Sequence, residues 1–134
     1  MSFLDDLAVK LVGDGVGVLG TTLFLPSVAV IPAGAGPYIT VSETGGVAPT
    51  FKQNQSAAAT QRPTAQVLVR ATSYPVARAT ALLAYQSLNG VWNTTINGVF
   101  YLRLVARQGP TDMGIDGNGR GQIVFNIEAE KAPS

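Results

Sequence analysis

The sequence predicts an α+β fold: a mostly antiparallel β-sheet packed by two α-helices and joined by long loops. Three observations carry this. Residues 65–71 alternate, with Ala65, Val67, Val69 and Ala71 on one face and Gln66, Leu68 and Arg70 on the other, as a half-buried strand requires. A helix follows at once. Pro75 opens it where a missing N–H costs nothing, and Asn89-Gly90 closes it. At ~3.3 Å per strand residue and ~1.5 Å per helix residue the two span about 30 and about 22 Å, so the helix covers most of the strand. Residues 123–130 then alternate again, with Ile123, Phe125, Ile127 and Ala129 on one face. The 134 residues suit one domain spanning 1–134, large enough to fold without disulfides or metal.

The remaining elements follow in order. Ser2 to Asp5 reads as a variant capping box, and Phe3, Leu4, Leu7, Leu11 and Val12 share one helical face, with Asp6 and Lys10 spaced as an i,i+4 ion pair. Gly13 ends this helix and a glycine-rich turn runs to Gly20. Thr21–Leu25 is a short strand, residues 28–37 an extended edge or a loop, and Tyr38–Glu43 a strand broken by Thr44-Gly45-Gly46. Residues 47–63 show no period and read as an extended loop, an arm that orders against a neighbour. Beyond the second helix, Val91–Ile96 is a strand and Asn97-Gly98 a hairpin signal. Phe100, Leu102, Leu104 and Ala106 then alternate with Val99, Tyr101, Arg103, Val105 and Arg107. A second glycine-rich loop covers residues 108–121 before the last strand.

Composition narrows the chemistry. Cysteine and histidine are both absent, which removes thiol chemistry, the usual general base and the commonest metal ligand. Nine basic against eight acidic residues favour neither nucleic acid nor anionic membrane. Charged residues are 13% of the chain against ~25% in an average domain, so part of the surface is expected to be hidden in an oligomer or complex. No run approaches the ~18 apolar residues of a membrane span. The opening MSFLDDLA carries aspartates where a secretion signal needs positive charge, which points to a cytosol.

The motifs that suggest sites have plainer accounts. Gly15–Gly20 satisfies GxGxxG but follows a helix and enters a strand, the reverse of a dinucleotide site. Asp112, Asp116 and Asn118 suggest calcium, yet the bidentate position of an EF-hand falls on Ile123 or Ile127. Asp116 and Arg120 can pair within that loop or across a subunit boundary. Glu128 and Glu130 share a strand face and read as a solvated edge. Arg103 and Arg107 are placed on one strand face about 13 Å apart. No catalytic, cofactor or metal residue emerges. The candidate interface residues are Lys52, Arg62, Arg70, Arg103, Arg107, Asp112, Asp116 and Arg120.

In order along the chain, FLDDLAVKLVGDGVG, PYITVSETGGVAPT, RPTAQVLVRATSYPVARATALLAYQSLNG and GIDGNGRGQIVFNIEAE resemble the tail terminator (minor capsid) proteins of long-tailed bacteriophages. The marks are an amphipathic helix followed by glycines, ETGG closing a strand, RP.AQVLVR leading into SY..A...A, the LNG helix end, and a final G.D..GR....FN. The resemblance implies a non-enzymatic, cofactor-free α+β subunit of a hexameric ring at the head-proximal end of the tail tube. Its implied partners are tail tube protein and head–tail connector proteins, and genomic DNA passes through the lumen without sequence-specific contact. The implied location is the virion, after assembly in the host cytoplasm. Gln53–Gln61 departs from the pattern as an alanine- and glutamine-rich insertion. A head-completion or tube protein of the same virion, and a small enzyme or ligand-binding module, stay open as alternatives.

Overall fold

The computed structural model describes residues 3–25, 36–44, 47–51, 58–115 and 121–132. Its elements are α1 (Phe3–Gly13), β1 (Leu23–Phe24), β2 (Tyr38–Glu43), β3 (Val47–Phe51), β4 (Ala58–Arg62), β5 (Thr64–Ala71), α2 (Tyr74–Leu88), β6 (Val91–Ile96), β7 (Val99–Ala106), β8 (Thr111–Ile115) and β9 (Gly121–Lys131). The fold is α+β, with all strand pairings antiparallel except β1 against β2.

β9 is the spine of the sheet. One edge pairs with β5 from Gly121 to Glu128 and meets β4 at Lys131; the other pairs with β8 near its start and β7 near its end. Strict alternation explains why it sits there. Every odd residue from Gly121 to Lys131 is buried and every even one half-buried, a pattern that suits a strand paired on both sides. β5 answers with Ala65, Val67, Val69 and Ala71 buried in register against Ile127, Phe125, Ile123 and Gly121.

Both helices cover this inner face. α1 contributes Phe3, Leu7, Ala8 and Leu11, and α2 contributes Ala77, Ala81, Ala84 and Leu88. The alanine stripe lets α2 lie close to the sheet, and Tyr85 meets Phe125 edge-on at 5.8 Å between ring centroids. Asn97 (φ +53°) and Gly98 (φ +80°) both take the left-handed conformation of the tight hairpin turn expected there. Gly36 is required by space: at φ +78°, a Cβ there would lie 2.7 Å from the Arg70 carbonyl oxygen.

Four expectations are corrected. Asp6 does not pair with Lys10. It is buried and accepts hydrogen bonds from the Tyr101 hydroxyl at 2.5 Å and Asn97 Nδ2 at 3.1 Å, while Lys10 pairs with Asp14, which also accepts from Ser87 Oγ at 2.6 Å. Burial, with the Asp6 carboxylate adding to it, pushes the Tyr101 phenol well above its usual range. Burial also lowers the neighbouring Lys131 ammonium, opposed by the fields of Asp6 and Glu43.

The alternation of β7 fails at Leu102. A register shift between Tyr101 and Arg103 turns Tyr101 and Leu104 both into the core and leaves Phe100 and Leu102 exposed. Residues 47–63 and 108–121, without an apolar period, nevertheless contain strands. β3 pairs with β4, and β4 continues β5 past Pro63 in the same register on β9, Gln61 facing Lys131 as Thr64 faces Glu128. β8 pairs with β9 and is exposed along its whole length. Finally, Glu128 and Glu130 stand on the central strand, not on a solvated edge.

Candidate assembly surfaces

Two surfaces look outward from this core. The first is the face of the sheet away from the helices, which no helix covers among the described residues. The register builds it in cross-strand rows: Tyr38–Arg70–Gln122, Thr40–Leu68–Val124, Ser42–Gln66–Asn126 and Arg103–Glu130. Near the end of β9 the rows become ionic. Arg103 donates from Nε to Glu130 and from Nη2 to Glu128, each at 3.4 Å, and Arg62 Nη2 lies 4.0 Å from the other Glu130 oxygen. The two arginines thus hold apart two carboxylates that the strand repeat places side by side. Trp92, paired with Arg103 across β6 and β7, is 59% exposed at the margin.

The sequence candidates divide accordingly. Arg62 and Arg103 are brought together through Glu130. Arg70 stands at the far end of the same face, where its Nε is buried without a hydrogen-bond partner among the described residues; Arg62 Nε and Thr40 Oγ1 are in the same condition. Arg107 lies beyond the end of β7, exposed, so it does not share a strand face with Arg103; its backbone N–H donates to the Asn126 carbonyl at 2.8 Å. Asp112 is exposed on β8 and its carboxylate accepts the Gly114 N–H at 2.7 Å, closing a local turn. Lys52, Asp116 and Arg120 lie outside the described residues, as do the proposed Asp116–Arg120 pair and two of the three calcium-like positions, Asp116 and Asn118. Among the described residues no three acidic side chains gather as a metal site.

The second surface is the outer side of the helix layer, which sequence reasoning missed. α1 exposes Val9 and Val12, the following turn exposes Val18 and Leu19, and α2 exposes Val76, Leu82 and Leu83. α2 carries one charged residue, Arg78, which donates to the Pro110 carbonyl at 3.3 Å. A helix whose outer side faces only water is normally charged there. The available signal was this scarcity of charge across fifteen helical residues. No helix of the described residues is long and apolar enough to cross a membrane.

A small α+β domain with an ion-paired sheet face and an apolar helix surface fits the class of structural proteins. More particularly, the chain belongs to the bacteriophage tail terminator proteins, whose family model matches residues 10–132. It is a structural component of a phage tail.

Solved structures share the fold. One is a chain from the virion of a native gene transfer agent particle, with a TM-score of 0.58 and 18% identity, covering 95% of this chain and 84% of that one. Another has a TM-score of 0.60 and 12% identity and covers 99% of both chains. At these identities the likeness shows the fold alone. A comparison with curated proteins finds no match.

Proposed function

We propose that this chain forms a ring, a hexamer, that caps the head-proximal end of the tail tube, stops its polymerisation and joins the tail to the head connector. The family match across residues 10–132 carries the reading. The mechanism is steric. One face of the ring pairs with the last ring of tube protein, and the other presents different chemistry to the connector proteins, so a further tube ring finds nothing to pair with. Genomic DNA passes through the lumen without sequence-specific contact, and no catalytic step or cofactor enters. Assembly takes place in the host cytoplasm and the ring stays in the virion at the head–tail junction.

Two features of the molecule suit the role. The β3–β4 ribbon, continuing from β5 past Pro63, is an arm placed to reach a neighbour. The sheet face carries Arg62 and Arg103 against Glu128 and Glu130, with Arg70 at its far end, charged groups that can set register against an adjoining ring.

Electron microscopy of tails assembled with and without the protein tests the proposal. Tails of runaway length are expected in its absence and tails of uniform length in its presence. Uniform length in both reactions would refute it, and self-polymerisation of the purified chain into tubes would reassign it as tube protein.

A further inference from the structure

α1 leaves an apolar groove of about 520 Å³ along one side, walled by Asp5, Ala8, Val9, Val12, Gly13 and Leu19. Residues 5, 8, 9, 12 and 13 form one stripe of the helix two turns long, ~11 Å from end to end. α2 presents a matching feature. Val76, Leu82 and Leu83 stand 42%, 47% and 54% exposed around Ala79, also over two turns and within about a third of the helix circumference. We propose that the α2 ridge of one copy packs into the α1 groove of the next copy. The proposal rests on the ring reading and names the surfaces that would close it.

Four properties select a second copy of this chain as the occupant. The first is size: an apolar cavity of about 150 Å³ holds one benzene-sized group, so the groove takes about three such side chains, the number the ridge supplies. The second is approach. Ala8 and Gly13 on the groove and Ala79 on the ridge are small enough for helix axes to come within ~8–10 Å.

The third is charge. Asp5 is the charged residue of the groove wall and Arg78 that of α2, so the same docking brings opposite signs together and sets register. The fourth is area. The exposed apolar side chains of ridge and groove present roughly 250 Å² each, so that docking them supplies the apolar core of an interface using ~800 Å² per partner.

Ridge and groove are different surfaces on one chain. Each copy therefore donates one and receives the other, a head-to-tail contact that repeats around a closed ring. A ridge-on-ridge contact would instead stop at a two-fold dimer.

The absence of cysteine makes a clean test possible. The double variant Val9→Cys/Leu82→Cys, and each single variant, are oxidised mildly under assembly conditions and run on non-reducing gels beside native mass spectrometry. Both positions are exposed, so circular dichroism and urea melts should match the unmodified chain. The double variant is expected to give a ladder of covalent multimers ending at the ring number, with at least a tenfold lower yield from either single variant.

Dimers from Leu82→Cys alone, or a bond formed within one chain, would overturn the proposal. Rings in native mass without a ladder would overturn this contact and leave the ring reading standing. A strict monomer, with and without tube protein, would remove both. Leu83→Glu gives a second measurement that needs no crosslink: assembly should fall at least tenfold with the melt unchanged, and full assembly would count against the ridge.

Discussion

The helix layer and the open sheet face both look outward, and they differ in the chemistry they show. The sheet face spends its charged groups on one another: Arg62, Arg103, Glu128 and Glu130 form a linked set, each side chain roughly one-quarter to one-third exposed. The helix layer shows aliphatic side chains instead, with Lys10 and Asp14 paired across one turn and Arg78 on α2. A soluble monomer would be expected to have the reverse, with charged helices outside and apolar residues reserved for the sheet. The difference teaches where to look for protein contacts. Ion pairs already satisfied within one chain gain little from a neighbour, whereas exposed leucine and valine gain by every square ångström covered.

The largest effect should come from beneath both surfaces. Phe125 is fully buried on β9 and touches Tyr85 of α2, so Phe125→Ala opens a cavity between sheet and helix. The expected loss is ~3–5 kcal/mol in urea unfolding, with both surfaces disordered together. A loss under about 1 kcal/mol would mean that helix layer and sheet do not share one core.

Tyr101→Phe cuts the hydroxyl that ties β7 to Asp6 on α1 and should cost about 1–3 kcal/mol, since Asp6 is left buried with one donor fewer. The pH profile gives an independent check. The Tyr101 phenol is raised above its ordinary value of 10 in the folded chain. Its contribution is therefore complete below the unfolded value and is lost as pH rises from there toward the folded one. Stability should fall above about pH 10, less steeply in Tyr101→Phe. Identical alkaline profiles would remove this tie from the account.

How far the sequence already showed these surfaces depends on what each residue buries. β5, β9 and α2 were legible because their apolar residues recur at strand or helix spacing and all point into one core. β3, β4 and β8 were not: a two-stranded ribbon or an exposed edge strand is held by backbone pairing, which leaves no apolar period. β7 was legible as a strand but not in its facing, because the register shift at Leu102 inverts the alternation halfway along. Arg62 and Arg103 stand out in the sequence as candidate interface residues, whereas Glu128 and Glu130 read as a solvated edge, since nothing local in them says that β9 is central. The α1 surface was hidden by the periodicity argument itself. Val12 fits the apolar helical face, and only packing shows that it is left outside.

Smaller effects separate the two surfaces. Arg103→Ala removes the group between Glu128 and Glu130 and should cost about 1 kcal/mol or less, because the ions are partly exposed, with the cost shrinking as salt rises. A salt-independent loss above 2 kcal/mol would show that Arg103 acts by packing. On the helix layer, Lys10 and then Ser87 hold the Asp14 carboxyl below its ordinary 3.8. A depressed pKa gives stability that is present above the unfolded value and lost as pH falls through the folded one. Asp14→Asn should therefore flatten only the acid limb below about pH 4, by a modest, salt-sensitive amount. An unchanged acid limb would dismiss the α1–α2 polar tie.

The smallest expected effect on folding carries the most weight for the comparison. Leu82→Gln replaces an exposed aliphatic side chain by a polar one of similar length and helix propensity, so the monomer should unfold within about 0.5 kcal/mol of the original. If the helix layer merely happens to be apolar, solubility rises and assembly into rings is untouched. If a neighbour covers it, ring yield falls while the melt stays the same, a separation that no residue of the shared core can produce. The matched control is Gln66→Ala on the sheet face, which removes a half-buried polar side chain paired with Asn126, one row short of Glu128 and outside the ion pairs. Equal losses of assembly from the two variants would mean that the surfaces are used alike, and the contrast between them would lose its functional meaning.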